Sequence, residues 1–156
     1  MARSSAGLVP FRLRQGMIEV LLGHPGGPFW AGRDEGVWSI PKGEFSPPED
    51  PLAAARREFQ EETGLVAEGR LIPLEPVRYS GKILYAWALD ADLDPKGFRS
   101  NTFKMEWPPG SGRLAEFPEI DKLCWFPMEV AKKKILKGQL GLLAQLQRIV
   151  SEQGWR

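Results

Sequence analysis

Residues 43–65 read GEFSPPEDPLAAARREFQEETGL, and this stretch decides the fold. Its second half predicts a helix that begins at Asp50 and Pro51, because aspartate suits an N-cap and proline suits the first helical position. The helix is expected to end at Thr63 and Gly64, since glycine readily takes the left-handed conformation that stops a helix. The apolar residues at helical spacing, which would form the buried stripe, are Leu52, Ala55 and Phe59.

Three glutamates share one face of this predicted helix. Glu58, Glu61 and Glu62 stand at positions i, i+3 and i+4, which brings their carboxylates together near the negative end of the helix dipole. A bound cation would relieve both the mutual repulsion and the unfavourable dipole. Because no histidine or cysteine stands beside these oxygen ligands, Mg²⁺ or Mn²⁺ is expected, and zinc is not. The alternative interpretation of the same residues is an ordinary solvated acidic face.

The spacing of the whole stretch resembles the Nudix box. In that pattern a glycine, five residues, a glutamate and seven residues precede an Arg-Glu pair and then a Glu-Glu pair, as they do here. The matching residues are Gly43, Glu49, Arg57, Glu58, Phe59, Glu61, Glu62, Gly64 and Leu65. A match at every constrained position of the box weakens the acidic-face alternative.

The resemblance implies an α/β (α+β) fold of the Nudix type, which is an α/β/α sandwich with a mixed β-sheet between helices, in a single domain over residues 1–156. The implied metal ligands are Glu58, Glu61, Glu62 and the carbonyl oxygen of Gly43. Arg57 joins the three glutamates as an implied catalytic residue and would form an ion pair with Glu49. The implied activity is hydrolysis of the pyrophosphate linkage in a nucleoside diphosphate joined to another moiety.

Other elements follow outward from the box. Residues 5–13 and 17–23 predict two strands of a hairpin that turns at residues 14–16. Residues 24–36 contain many helix and strand breakers and are expected to be loop, which makes His24 a loop or turn residue, with a phosphate contact as the alternative. Further predicted strands are 37–40, 82–89, 100–107 and 123–126, and further predicted helices are 128–136 and 139–153. The expected buried face of the last helix is Leu140, Leu143, Leu146 and Val150.

The candidate substrate-binding residues are Lys42, Trp38 and Tyr85. Residues 38–43 read WSIPKG, which is similar to the W-x-x-P-K-G lead-in of dinucleoside polyphosphate hydrolases and related small phosphohydrolases. This favours a nucleoside triphosphate or dinucleoside polyphosphate as substrate. Lys42 could contact a phosphate or could be an ordinary exposed lysine. The aromatic candidates for stacking on a base are Phe29, Trp30, Trp38 and Trp87, with a core position as the alternative for each.

Residues downstream of the box leave the subfamily open. A tyrosine there is similar to the dinucleoside polyphosphate group and a proline to the ADP-sugar group, and the chain offers Tyr79, Tyr85 and Pro76. An ADP-sugar pyrophosphatase therefore remains an alternative. So does a Nudix-fold module that binds a nucleotide without cleaving it, although such modules usually lose box carboxylates.

A further catalytic carboxylate is expected outside the box. Nudix enzymes commonly take one from a loop across the cleft, and residues 108–118 read as a long Gly/Pro-rich loop of that kind. Glu119 follows this loop and precedes the tryptophan-bearing strand, so it is the predicted auxiliary base. Glu116 is the rival, and two ordinary surface acids are the alternative.

Composition limits the remaining functions. The 156 residues predict one domain, and a formal net charge of +1 argues against a nucleic-acid polymer as partner. The single cysteine, Cys124, excludes an internal disulfide. No apolar stretch is long enough for a signal peptide core or a membrane span, so a cytoplasmic location is expected. The expected partner is a small nucleotide, and the protein is expected to be a monomer or homodimer.

Overall fold

The computed structural model describes residues 3–153, so the ends of the predicted domain, residues 1–2 and 154–156, lie outside the described residues. The strands are β1 (Arg3–Arg14), β2 (Met17–Pro25), β3 (Lys42–Phe45), β4 (Arg70–Pro73), β5 (Val77–Tyr79), β6 (Lys82–Asp90), β7 (Thr102–Glu106), β8 (Leu114–Pro118) and β9 (Ile120–Pro127). The helices are α1 (Pro51–Thr63), α2 (Met128–Lys134) and α3 (Leu140–Glu152), and a 3₁₀ turn spans Lys137–Gln139. Among the described helices, none combines the length and the apolar character that crossing a membrane requires.

Strand β1 is the centre of a mixed sheet. It runs parallel to β6 and antiparallel to both β2 and β3. Strand β3 pairs with residues 4–7 of β1, while β2 pairs with residues 11–14, so the two partners share one edge of the same strand. The sheet order is β4-β6-β1-β2-β9, with β5 added beside β6, and β7 and β8 form a separate antiparallel pair.

Helices cover both faces of this sheet. On one face, α1 buries Ala55 and Phe59 in a cluster with Leu8 of β1 and Leu89 of β6. On the other face, α2 and α3 contribute to a larger cluster with the remaining sheet residues, among them Phe11. Full burial of each large side chain stabilises the fold by roughly 1.5–3 kcal/mol. The predicted α/β/α arrangement with a mixed sheet is confirmed.

Local signals place α1 and the first hairpin as predicted. Oδ2 of Asp50 accepts a hydrogen bond from the backbone N–H of Ala53 across 3.1 Å, and Gly64 ends the helix with a φ of 71°. Between β1 and β2 the turn consists of Gln15 and Gly16, whose φ values are 54° and 77°. Positive φ at both turn positions matches the right-handed twist of the flanking strands.

Four sequence predictions differ from the structure, three of them at residues 108–118, His24 and Leu140. Residues 108–118 are not one long loop, because β8 occupies 114–118 and pairs with β7. Strand β2 extends to Pro25 and includes His24, which was expected in a loop. Leu140 is 36% exposed, whereas Leu142 is fully buried. Two residues correspond to about 200° around a helix, so Leu140 points away from the face that Leu142 shares with Leu146 and Val150.

Residues 37–40, expected as a short strand, form only isolated bridges. Ser39 pairs with Gly23 of β2, and Trp38 pairs with Ile135 just after α2. These two bridges hold the segment that leads into β3 against the edge of the sheet.

Candidate active site

The carboxylates of α1 lie directly against strand β3. Glu58 is 9% exposed, and its carboxylate fills the space beside Gly43, where a Cβ atom on residue 43 would collide with it. The backbone N–H of Lys42 donates to Oε1 of Glu62 across 3.1 Å. Because glycine has no side chain, the backbone of β3 can approach these carboxylates closely. The position of the Glu58 carboxylate beside the strand therefore depends on glycine at residue 43.

Arg57 ties the loop before the helix to the acidic face of the helix. Its Nε and Nη2 donate to the two carboxylate oxygens of Glu49 across 2.8 and 2.9 Å, which is a bidentate pair. Its Nη1 also donates to Oε1 of Glu58 across 3.1 Å and to Oε2 of Glu61 across 3.0 Å. The predicted ion pair between Arg57 and Glu49 is confirmed, and the hydrogen bonds from Arg57 hold the pKa of Glu49 below its ordinary value.

The carboxylates of Glu58 and Glu62 lie where burial disfavours their charged form. Burial raises the pKa of Glu62 to about 8, since it removes water from the carboxylate. The backbone N–H and the charge of Lys42 oppose this rise, whereas the charges of Glu58 and Glu119 add to it. Burial also raises the pKa of Glu58, and its neighbour Glu61 adds to the shift. A cation placed among these groups would stabilise their charged forms.

The donor set fits a hard divalent cation. Glu58, Glu61 and Glu62 offer only carboxylate oxygens, and the bare backbone of Gly43 stands beside them. Within residues 3–153 no three acidic, histidine or cysteine side chains already surround one point as metal ligands would. In this arrangement the guanidinium of Arg57 supplies positive charge to Glu58 and Glu61. The crowding, the burial and the oxygen-only chemistry are those that Mg²⁺ or Mn²⁺ would satisfy.

Glu119 lies across from the helix and is held there by its backbone. Its N–H donates to the carbonyl oxygen of Asn101 across 2.9 Å, and its own carbonyl accepts from the N–H of Gly26 across 3.0 Å. Asn101 in turn donates its N–H to the carbonyl of Glu61 across 2.8 Å. Asn101 thereby links the end of α1 to Glu119, which directly precedes β9. The rival Glu116 is exposed on β8, opposite Lys104, and is not brought to the carboxylates.

Two adjoining hollows meet at these residues. The first, which we call the polar cleft, is lined by Lys42, Gly43, Glu44, Glu58, Glu62, Lys82, Asn101 and Glu119. The second, which we call the mixed cavity, has a volume of about 200 Å³ and is lined by Gly23, Pro25, Trp30, Val37, Ser39, Ile40, Lys42, Glu62, Glu119, Ile120 and Leu136. Both share Lys42, Glu62 and Glu119. The structure therefore brings Lys42 and Glu119 together with two glutamates of the box, Glu58 and Glu62.

Trp38 and Tyr85 are not brought to the shared wall of these hollows. Trp38 is 4% exposed, with its ring edge-on to His24 and to Phe126 and its Nε1 donating to Oδ1 of Asp34 across 2.9 Å. The expectation that it contacts substrate is therefore corrected, because neither face of its ring is free. Its position supports the residues that lead to Lys42.

Tyr85 lines a separate cleft on the α1 side of the sheet. Its ring lies 6.1 Å from that of Phe45, and the two prolines Pro47 and Pro48 stand beside it. Side chains alternate between the two faces of a strand, so Tyr85 and Gly43 lie on the face that carries α1, whereas Ala86 and Lys42 lie on the other. Tyr85 and Lys42 therefore point to opposite faces of the sheet. The structure does not place Tyr85 with the other candidate substrate-binding residues.

His24 is a buried structural residue. It is 3% exposed, and its ring nitrogens lie 2.7 Å from Oδ1 of Asp121 and 2.6 Å from the carbonyl oxygen of Arg33. Both nitrogens are thus occupied, which leaves none for the phosphate contact that the sequence left open. His24 thus holds the loop after β2, through Arg33, against β9, through Asp121. Asp121 stands two residues after Glu119.

Sequence reasoning missed Lys82 and Asn101, which line the polar cleft. Lys82 begins β6 directly after the tight turn at Ser80 and Gly81, and a lysine next to a turn is ordinarily a surface residue. Asn101 lies in a segment without regular structure between β6 and β7. Only the parallel pairing of β6 with β1 and the backbone hydrogen bonds of Asn101 bring them here, and no local pattern signals either.

A family model described as NUDIX domain matches residues 1–146. An Ap4A hydrolase from C. elegans, solved as a binary complex, superposes with a TM-score of 0.63 at 23% identity, over 96% of this chain and 98% of that chain. The NUDIX domain of Shewanella oneidensis NrtR complexed with ADP ribose gives 0.62 at 16% identity, over 96% and 89%.

A mutT/nudix family protein from Listeria innocua gives a TM-score of 0.62 at 19% identity, over 97% of this chain and 96% of that chain. No curated protein sequence matches the chain. At these identities the solved structures establish the shared fold, while the family model covers almost the entire sequence and includes the complete box. The chain therefore belongs to the NUDIX family of pyrophosphohydrolases.

Proposed function

We propose that the protein is a Mg²⁺-dependent hydrolase, able to use Mn²⁺ instead, that cleaves the pyrophosphate linkage of a nucleoside triphosphate or a dinucleoside polyphosphate. One observation carries the proposal. Glu58 and Glu62 of α1 face Glu119 across a polar cleft that also contains Lys42. Carboxylates that suit a divalent cation thus stand beside a lysine that suits a phosphate, which is the combination that phosphoryl chemistry requires.

Each residue has a separate task in the proposed reaction. Glu58, Glu61 and Glu62, with the carbonyl of Gly43, would hold the divalent cation, which when bound promotes loss of a proton from water and offsets charge on the phosphate oxygens. Lys42 would bind a phosphate at the border of the cleft and the mixed cavity. Glu119 would accept a proton from the attacking water. Arg57, through its bonds to Glu49, would keep the box loop in place.

The substrate class rests on two likenesses. The WSIPKG lead-in and the fold shared with the C. elegans Ap4A hydrolase over nearly the full length of both chains favour a nucleotide polyphosphate. The NrtR domain, complexed with ADP ribose, keeps two alternatives in view, namely an ADP-sugar pyrophosphatase and a module that binds without cleaving. Retention of every box carboxylate favours catalysis over binding alone.

A substrate panel tests the proposal. Nucleoside triphosphates, Ap4A and ADP-ribose are incubated with the protein in Mg²⁺, in Mn²⁺ and with a chelator, and released phosphate, pyrophosphate and nucleotides are measured. We expect cleavage of a triphosphate or of Ap4A that stops with the chelator and falls at least about 100-fold in Glu58→Gln and Glu62→Gln. The exposed Glu116→Gln serves as control. Cleavage of ADP-ribose alone, or tight nucleotide binding without turnover, would replace the proposal with the corresponding alternative.

A further inference from the structure

The mixed cavity has a lining of two chemical kinds. Lys42, Glu62 and Glu119 are the charged residues that it shares with the polar cleft, whereas Trp30, Val37 and Leu136 are apolar residues that line the cavity and not that cleft. At about 200 Å³, it is smaller than the roughly 300–1,000 Å³ of sites that enclose a whole small ligand. It therefore suits one flat apolar ring of a larger molecule whose charged part lies in the polar cleft.

Trp30 is the aromatic residue on the wall of this cavity. Its side chain is 38% exposed, in contrast to Trp38 at 4%, so a large part of an indole ring is left without a packing partner. The guanidinium of Arg33 lies over the ring, 5.7 Å from its centre. A flat ring that covered the exposed part would remove apolar surface from water and gain a stacking contact.

Hydrogen bonds hold the backbone of the loop that carries Trp30. The N–H of Trp30 donates to the carbonyl of Gly27 across 3.3 Å, and the N–H of Arg33 donates to the carbonyl of Trp30 across 3.0 Å. The carbonyl of Arg33 lies 2.6 Å from Nε2 of the buried His24. A loop backbone that is already held loses less conformational entropy when a ligand binds, which favours affinity.

We infer that Trp30 forms the stacking wall of a nucleobase subsite in the mixed cavity, with the phosphates of the same nucleotide running past Lys42 into the polar cleft. This inference rests on the proposed function, because it assigns a place to the base of the nucleotide that the carboxylates would cleave. The adjacent Phe29 does not share the role. It is 62% exposed, does not line the cavity, and lies edge-on to Trp107 of the hairpin tip, 6.0 Å between ring centres.

Equilibrium binding of two matched, uncleavable probes tests the inference. One probe is the tightest-binding of the four α,β-methylene nucleoside diphosphates, and the other is methylenediphosphonate, which has the charge but no base; both are titrated in Mg²⁺ by calorimetry. We expect Trp30→Ala to weaken the nucleotide by about tenfold or more, to leave methylenediphosphonate unchanged, and Trp30→Phe to keep most of the affinity. Phe29→Ala should change neither, and thermal denaturation verifies that each variant is folded.

Three results would overturn the inference. Unchanged nucleotide binding in Trp30→Ala would place the base elsewhere while leaving the proposed function intact. Equal weakening of both probes would make Trp30 a structural residue of the loop. If the unmodified protein bound methylenediphosphonate but none of the four nucleotides, the proposed function would fail together with the subsite, which separates that failure from the first two.

Discussion

The carboxyl group of Glu62 has a pKa of about 8 in the folded protein, against an ordinary value of 4.5. Between these pH values the folded state keeps a proton that the unfolded state has released. Raising the pH across this interval therefore favours unfolding, and the loss of stability is complete above the folded pKa. The fold thus retains a group that weakens the metal-free protein at neutral pH, a cost that a cation bound beside Glu62 would offset.

This linkage predicts a pH-dependent gain in stability for Glu62→Gln. In the presence of a chelator, the free energy of unfolding of the variant should exceed that of the unmodified protein by an amount that grows between pH 5 and pH 8, by at least about 1 kcal/mol. Urea denaturation at several pH values measures it. Glu116→Gln is the matched control, and a difference between Glu62→Gln and the unmodified protein that stayed constant with pH would contradict the burial of Glu62.

A second prediction concerns Glu119, which the backbone of Asn101 and Gly26 holds opposite α1. Glu119→Gln should lower kcat by about 100-fold or more, because glutamine cannot accept a proton from the attacking water. The hydrogen bonds that position this residue come from its backbone, so the melting temperature should change little. Glu116→Gln should stay within about twofold of the unmodified enzyme. Full activity in Glu119→Gln would show that the box supplies every catalytic carboxylate.

The tryptophans show why some residues of the candidate site could not be predicted from the sequence. The sequence names Trp38 as a candidate substrate-binding residue and Trp30 only among the aromatics that could stack on a base, yet Trp30 lines the mixed cavity and Trp38 is buried. Nothing in their neighbours along the chain tells a core tryptophan from a cavity wall. The box glutamates differ because their own spacing places them on one helix face. Lys82 and Asn101 have no such local pattern, since strand pairing brings Lys82 to the polar cleft and backbone hydrogen bonds bring Asn101 there.

At the scale of elements, the position of the Glu58 carboxylate beside β3 depends on the absence of a side chain at residue 43. Gly43→Ala would place a methyl group where that carboxylate now lies, so the flexible end of the Glu58 side chain would have to move away from the strand. We expect activity to fall by at least about tenfold because a proposed metal ligand is displaced, while the free energy of unfolding should fall by no more than about 1 kcal/mol, the low end for overpacking. Steady-state kinetics and chemical denaturation measure the two effects.

Gly141→Ala is the matched control for this substitution. Gly141 is exposed in α3, and its added Cβ would have its nearest neighbour, Val77, at 3.4 Å. Alanine has a higher helix propensity than glycine, so this variant should be as stable as the unmodified protein or more so. Equal activity of Gly43→Ala and Gly141→Ala would remove the argument for close approach at residue 43.

Elements with local signals could be predicted, and those held by partners could not. Helix α1 carries its own cap and stop in Asp50 and Gly64, and the first hairpin carries its turn in Gln15 and Gly16. Strand β8 has no comparable signal, because it is short, ends in Pro118 and exists through its pairing with β7. The sequence therefore predicts loop there, and the role of Glu119 as auxiliary carboxylate, which follows from its spacing to the next strand, stays a prediction.

For the molecule as a whole, a divalent cation should act as a link between distant parts of the chain. Held by Glu58, Glu61 and Glu62 and close to Glu119, it would bind the folded state only and stabilise it by mass action. At about one hundred times its dissociation constant, Mg²⁺ should raise the melting temperature by roughly 5 °C or more. Glu116→Gln should show the same rise, whereas the double variant Glu58→Gln and Glu62→Gln should show little. An undiminished rise in the double variant would locate the cation elsewhere.

The position of β1 between three partners also orders the assembly of the molecule. Its hairpin with β2 closes over two residues, so it can form early, whereas its parallel ladder with β6 must first enclose the box and α1 in a long loop. Glu119 joins from still farther along the chain. Turnover needs both the ladder between β1 and β6 and the placement of Glu119, so the return of enzymatic activity would report completion of the fold.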